Sequence, residues 1–399
     1  MSYMGMGEIT PKHFEDNAYM FEQYIPRYDE IWLFGAGEYA TAFYKFLYHF
    51  GVEPAGFVVS DLSNNCLATE KTVIDIKELK IRYQSSESKL AMLLTVSERF
   101  YSELMSSLGF MGEDLLIIPE KTKQCASYRF SSLKNITLCF PVAEHCNLAC
   151  YSCAACSPLA DVNTYEFTQF ERDVRRIRGL VNDSDVATVN FTGGDVFGNP
   201  RLTDFFSKAR ELFPTSRISI STNGIALNKQ TDMFFELCAN YKVAIDMTNY
   251  PISHGFSINE MLNKSQTYGF EFNFFGDSSL TEDKSSWWIP FSMQGKQSPY
   301  DFLFCAFHRD SKNLMMIDKG ILTPCGIMRQ PKHLRKSFGE APPLDESNFL
   351  KLDTIKDANE LESFLAKRYP LCDYCAIRKR KSMGQWLPSK KEKSEWFVI

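Results

Sequence analysis

The chain has 399 residues, 44% hydrophobic and 23% charged, with a formal net charge of −5. That is too long for one ordinary core, globular in composition, and too weakly charged for a protein that coats nucleic acid, so no nucleic-acid partner is expected. The opening stretch MSYMGMGEITPKHFEDNAYM lacks a basic start followed by an apolar core, and no run of about eighteen apolar residues follows. Neither a secretory signal nor a membrane span is expected, and the cytoplasm is the expected compartment.

The first pattern in chain order is IWLFGAGEYATAFYKFLYHFGVEPAGFVVSD, residues 31–61: a strand, a Gly-rich turn, a helix and a second strand. Ala40, Phe43, Leu47 and Phe50 recur at helical spacing. KLAMLLTV (89–96) reads as a third strand, SERFYSELMSSLGF as a helix, and LLIIPEK (115–121) closes the unit. Alternating strands and helices predict a parallel sheet covered on both faces, a Rossmann-like domain over 25–125. Gly35-Ala36-Gly37 follows a strand and opens a helix, the context in which such a turn suits a phosphate. Asp61, at the end of the second strand, is placed to hydrogen-bond a ribose hydroxyl. Gly35, Gly37 and Asp61 are therefore the candidate contacts for a nucleotide.

A second alternating series starts near 135. ITLCFPV, ATVNFTGGD, RISISTNG, VAIDMTNYP and FEFNFFGD read as strands. The helices between them carry apolar faces, first Phe170, Val174, Ile177 and Val181, then Leu202, Phe205, Ala209 and Leu212. The fold class expected is α/β, with a partial (β/α)6 TIM-type barrel over 135–295 and chemistry at the C-terminal ends of its strands. From about 296 the periodicity fades into a turn-rich part up to 376, and 377–399 reads as a basic, solvated tail.

Twelve cysteines are many for an intracellular chain and point to metal or redox chemistry before disulfides. Cys66, Cys125, Cys139 and Cys238 are scattered and read as small buried hydrophobes. Cys146, Cys150 and Cys153 share the loop CNLACYSC after the first barrel strand. A cubane iron–sulfur cluster normally takes four thiolates, so three leave one iron open. Three cysteines so close also suit zinc, with Cys156 or His145 as a fourth ligand, and the spacing alone leaves that alternative open.

The C-x3-C-x2-C spacing resembles the signature of the radical S-adenosylmethionine (SAM) family. The resemblance implies a 4Fe-4S cluster whose open iron chelates SAM, and a 5′-deoxyadenosyl radical that abstracts hydrogen from substrate. Gly193-Gly194-Asp195, after the second strand, resembles the family's GGE turn for the SAM amino group, with Asp in place of Glu. Ser221 and Asn223, in the Ser-Thr-Asn-Gly end of the third strand, match a family position for polar contacts to SAM. The aromatic residue common before the third cysteine is absent: Ser152 stands there, with Tyr151 one earlier.

Cys305, Cys325, Cys372 and Cys375 can ligate a second cubane, with a four-thiolate zinc as the physical competitor. With Gly320 between the first two, they resemble the family's SPASM or shorter twitch extension, which implies an auxiliary 4Fe-4S cluster for electron transfer. This arrangement resembles the 2-deoxy-scyllo-inosamine dehydrogenases, and CNLACYSCAACSPLAD resembles radical SAM proteins of polysaccharide gene clusters. The resemblance implies a small sugar, nucleotide-sugar or cyclitol substrate, oxidised or epimerised, and an electron donor such as flavodoxin or ferredoxin. A peptide-modifying maturase and a zinc-stabilised binding module are the rival readings. Trp287, Trp288 and Pro290 suit packing or a sugar pocket, and Glu144 and His145 flank the cluster loop. His254, His308, Arg309 and Asp310 are unranked as a base, so no catalytic residue is named.

Overall fold

The computed structural model describes residues 19–62, 71–120, 122–123, 126–127, 133–275, 290–293, 314–376 and 386–398. They fall into two compact units that divide between residues 132 and 133.

In the first unit, β1 (Glu30–Phe34) leads through Gly35 into α1 (Glu38–His49), and β2 (Gly56–Val59) follows. Then come β3 (Val73–Asp75), α2 (Ile76–Ser85), β4 (Leu90–Leu94), α3 (Tyr101–Leu108) and β5 (Leu115–Ile117). All five strands run parallel in the order β3-β2-β1-β4-β5, so the order reverses between β1 and β4, beside the Gly-rich turn. β4 is buried at every position because side chains pack on both of its faces. α1 buries Ala40, Phe43 and Leu47 as its spacing predicts, and also Ala42, Tyr44 and Phe46. Phe50 caps its C-terminus and is half-buried.

β3 and α2 are absent from the sequence reading for a physical reason. β3 has three residues, and α2 (IKELKIRYQS) buries only Leu79, so neither carries a pattern. What starts α2 is its cap: Asp75 accepts a hydrogen bond from the Glu78 N–H at 2.8 Å.

The second unit is built on one eight-stranded sheet. Its strands are β6 (Ile136–Ala143), β7 (Val186–Gly193), β8 (Arg217–Thr222), β9 (Val243–Thr248) and β10 (Phe272–Phe275). α4 (Phe167–Arg178), α5 (Leu202–Leu212), α6 (Asp232–Asn240) and α7 (Ile258–Tyr268) join them as parallel crossovers. Phe140 and Phe191 from the sheet meet Phe170 and Phe205 from the helices, all four fully buried, with Phe170 and Phe205 centroids 4.5 Å apart. Each such ring contributes roughly 1.5–3 kcal/mol of burial.

The sheet is open: β10-β9-β8-β7-β6 is continued on the β6 side by three further strands, and the barrel does not close. β12 (Leu314–Asp318) runs parallel to β6, β13 (Ile321–Thr323) is antiparallel to β12, and β14 (Leu350–Lys351) is antiparallel to β13. The described part of 296–376 is thus continuous with the barrel's sheet. α8 (Gln330–Phe338) and α9 (Ala358–Ala366) follow β13 and β14.

The tail departs from expectation. From Trp386 on it is packed rather than solvated: Glu395, Trp396 and Phe397 are buried, and β15 (Phe397–Val398) pairs with β11 (Phe291–Ser292). Its net basic charge belongs to exposed lysines, while Trp396 and Phe397 supply the apolar contacts. No helix among the described residues is long and apolar enough to cross a membrane.

Candidate iron–sulfur cluster site

The cysteine loop leaves the C-terminal end of β6 and is pinned at both ends. The Glu144 N–H donates to the Asn163 carbonyl at 2.9 Å and the Tyr165 N–H to the Val142 carbonyl at 3.0 Å. The buried Asn199 side-chain amide donates to the Val142 and Tyr165 carbonyls at 3.0 and 3.1 Å. Ser152 and Cys156 adopt positive φ (50° and 52°), which turns the chain around Cys153.

The donors around the three sulfurs point at sulfur. Cys146 Sγ accepts from the Leu148 N–H and the Asn223 Nδ2, both at 3.3 Å. The Trp386 Nε1–H and the Tyr250 hydroxyl face Cys150, and the backbone N–H groups of Ala155, Cys156 and Ser157 face Cys153. Burial pushes the Cys146 thiol up to about 12 and the Cys150 thiol up to about 11, and raises Cys153. Left as thiols they stay protonated at neutral pH, whereas a bound metal deprotonates them outright. Sulfurs ringed by N–H and O–H donors are dressed as thiolates, so this loop fits an iron–sulfur cluster. Among the described residues, no group of three His, Cys, Asp or Glu side chains is gathered tightly enough to hold a single metal ion.

The other expected contacts fall around this loop. Gly193 (φ +137°) and Gly194 lie directly against it: a Cβ at Gly193 would sit 2.0 Å from the Ala143 carbonyl oxygen, and one at Gly194 2.1 Å from that of His145. The Gly194 and Asp195 N–H groups donate to those two carbonyls, at 2.8 and 3.1 Å. The glycines are therefore required by the crossing of two backbones, before any ligand is considered.

Asp195 is 2% exposed, and its carboxylate accepts from Phe197 N–H (3.1 Å), Thr222 Oγ1 (2.8 Å) and Asn223 N–H (3.0 Å). Its side chain braces the β7 loop against the β8 loop. Asn223 then reaches Cys146 and, at 2.8 Å, the Asn147 side chain. Ser221 lies lower on β8, bonded to Asn190 of β7 at 3.0 Å. His254 packs under this turn, 3.0 Å from where a Gly224 Cβ would stand, and burial lowers its pKa.

Glu144 is 7% exposed and faces Lys332 (2.8 Å), His333 (3.5 Å), Arg329 (3.6 Å) and Lys319 (3.8 Å). Burial alone would raise its carboxyl; the hydrogen bond and charge of Lys332, with Arg329 and His333, outweigh that and hold it low. It ties the start of the cluster loop to α8.

Cys325 is buried just after β13; Cys372 lies in the short turn Pro370–Tyr374 and Cys375 caps it, with the Cys375 N–H bonded to the Cys372 carbonyl at 3.2 Å. Cys139 and Cys238 are buried in apolar surroundings, as expected. Cys66, Cys125, Cys305, Trp287, Trp288, His308, Arg309 and Asp310 lie outside the described residues. Pro290 is buried, and its carbonyl accepts the Ala376 N–H at 2.9 Å. In the first unit Gly35 (φ +104°) is held by packing, since a Cβ there would meet Val96 at 2.8 Å. Gly37 caps α1 with open space before it, and Asp61 is exposed.

The residues the sequence reading missed are Tyr250, Trp386, Asn190 and Asn199. Asn199 had a local signal in the GNP turn; the others acquire partners only through the fold.

A family model described as a 4Fe-4S single cluster domain matches residues 137–255. This segment is similar to 4Fe-4S single cluster domains. The matched range runs from β6 to just past His254, taking in the cysteine loop, Gly193-Gly194 and Asn223, in agreement with the radical SAM resemblance of the loop. No curated protein matches the chain. Among solved structures, BtrN in complex with AdoMet and 2-DOIA is similar at 12% identity and TM-score 0.38, over 64% of this chain and 99% of that one. Native anSMEcpe with bound AdoMet is similar at 14% identity and TM-score 0.37, over 62% and 92%. Streptococcus suis SuiB bound to S-adenosylmethionine is similar at 14% identity and TM-score 0.31, over 81% and 86%.

Proposed function

We propose that the chain is a radical SAM enzyme that abstracts hydrogen from a polyhydroxylated small molecule, a sugar, nucleotide-sugar or cyclitol, leading to oxidation or epimerisation. The observation that carries this reading is the ring of donors aimed at Cys146, Cys150 and Cys153 inside the matched cluster domain. A cluster bound there with one open iron would supply one-electron cleavage of SAM and hydrogen abstraction from carbon. The chain's own residues hold the loop: Asp195 fixes the turn that carries Asn223, Asn223 donates to Cys146, and Gly193-Gly194 let the β7 end pass beneath the loop.

Support for a hydroxyl-rich substrate comes from the face of β7 and β8 opposite α4 and α5. Asn190, Ser219 and Ser221 form a hydrogen-bonded ladder there. Beside it Arg217 pairs with both Asp246 oxygens at 2.7–2.8 Å, and Asn273 joins at 2.9 Å. Such a surface matches hydroxyl donors and acceptors better than an apolar chain. Cys325, Cys372 and Cys375, with Cys305, are proposed as auxiliary-cluster ligands, and a flavodoxin- or ferredoxin-type protein as electron donor. A nucleotide at the Gly35–Gly37 turn belongs to the same reading.

The test is anaerobic reconstitution with iron and sulfide, followed by SAM and dithionite. The expected result is a brown protein that forms 5′-deoxyadenosine, with deuterium transferred from a labelled nucleotide sugar or cyclitol. Deuterium transfer from peptides alone would favour the maturase reading. A colourless, zinc-replete protein that forms no 5′-deoxyadenosine would overturn the proposal.

A further inference from the structure

The C-terminal segment lies along the cysteine loop. The Tyr151 N–H donates to the Leu387 carbonyl at 2.9 Å, and the Ser389 N–H to the Ala149 carbonyl at 3.0 Å. Cys150 and Pro388 face each other between these bonds as an antiparallel bridge. In this register the central pair exchanges no hydrogen bonds, so the missing N–H of Pro388 costs nothing. Further along, Trp396 Nε1 donates to the Cys153 carbonyl at 3.3 Å.

The segment is also held from within. The fully buried Glu395 carboxylate accepts from Ser389 Oγ (2.6 Å), Lys390 N–H (2.7 Å) and Glu392 N–H (3.1 Å). Trp396 packs 6.0 Å from Phe338, and β15 pairs with β11. A merely solvated end would not bury a carboxylate and a tryptophan this completely.

At the near end of the segment, the Trp386 ring meets Tyr250 edge-on, with centroids 6.3 Å apart. The Trp386 Nε1–H is buried and finds no partner of good hydrogen-bond geometry, although it faces the Cys150 sulfur. The Tyr250 hydroxyl also faces Cys150 and lies close to Cys146 and Cys153. A buried donor without an acceptor costs about 1–3 kcal/mol. A neutral thiol is a weak acceptor, but an anionic, iron-bound sulfur is a strong one. Trp386 is therefore matched to a state of Cys150 that exists only with the cluster in place.

We propose that residues 386–398 are a working part of the cluster site, and that Trp386 and Tyr250 are positioning residues whose donors act on the Cys150 sulfur and set the cluster's reduction potential and retention. This rests on the cluster reading above. Hydrogen bonds to cluster sulfurs and exclusion of solvent are the levers by which a protein shifts such a potential. Removing a donor from an anionic sulfur favours the oxidised, less negative cluster, so the potential falls.

The test uses the full chain, reconstituted anaerobically, as wild type, Trp386→Phe, Tyr250→Phe and the double variant. Both substitutions keep the ring and delete the donor. The midpoint potential of the SAM-sensitive cluster is titrated, and the loss of its absorbance near 400 nm under a chelator is timed. The expected result is a more negative potential in each variant and bleaching faster by roughly tenfold, the scale on which an outer-shell partner affects a metal site. Variants that hold the cluster with unchanged potential and bleaching rate would overturn the proposal while leaving the cluster reading intact. A wild-type chain that takes up no cluster would overturn both.

Discussion

At Gly194 the chain has no room for a side chain, because the His145 carbonyl lies 2.1 Å from where a Cβ would be. Gly194→Ala must push one backbone off the other, at a cost on the order of 3 kcal/mol. Thermal unfolding should register that loss, and the iron bound per chain after reconstitution should drop with it. Asn223 offers a second probe. Asn223→Asp keeps the oxygen that accepts the Ile225 N–H at 3.0 Å, but turns the amide facing Cys146 into a carboxylate. Chelator bleaching of the cluster should accelerate, because two donated hydrogen bonds are replaced by a negative charge facing sulfur. Equal bleaching in wild type and variant would count against the Asn223–Cys146 contact as a support for the site. At this scale the cysteines were legible because their spacing is local. The brace formed by Asp195 was not: its partners, Thr222 and Asn223, are brought to it by β8, and a carboxylate after two glycines reads equally well as a ligand contact.

Among the elements, the hairpin of β12 and β13 is fastened to α4 by one buried carboxylate. Asp173 accepts the Gly320 N–H at 2.7 Å and the Gln169 amide at 2.8 Å, and bonds the Tyr165 hydroxyl. Arg176, one turn on, donates to the Leu352 and Ile355 carbonyls. Asp173→Ala leaves three donors without an acceptor, a loss of about 2–4 kcal/mol. It should show as a lower melting temperature and as earlier proteolysis within 314–355. A melting curve and cleavage pattern like the wild type's would deny the clamp. The helices and strands from β6 to β10 could be read from the sequence, because each pairs an apolar face of proper period with a polar turn. The hairpin's place beside β6 could not, since Gly320 announces a turn but says nothing of which edge the turn joins. The strand-like pairing of Leu387–Ser389 with Ala149–Tyr151 was hidden for the same reason, with more than two hundred residues between the partners.

Across the second unit, Glu144 and His333 give the fold a pH dependence of definite sign. Burial, and then the charge of Lys332, hold His333 down to about 4 from its ordinary 6.5, while Glu144 pulls the other way. Between those values the unfolded chain binds more protons than the folded one, so stability falls as pH drops through this window and levels off below it. The span is worth up to about 3 kcal/mol. Glu144, held low, adds a loss of its own only as pH falls past the ordinary carboxylate range. Melting temperatures from pH 7 to 4 should fall in the wild type and flatten in His333→Gln; parallel curves would show that His333 does not carry the effect. The central claim reaches further, to an iron left open by three cysteines. It is tested most directly by electron paramagnetic resonance of the reduced, reconstituted chain, with and without SAM, beside the Cys146→Ala/Cys150→Ala/Cys153→Ala variant. A signal component that shifts when SAM is added, and is missing from the triple variant, is the predicted result, with any auxiliary-cluster component left in place. A signal with no component that responds to SAM, or a SAM-responsive component that survives loss of the three cysteines, would contradict it.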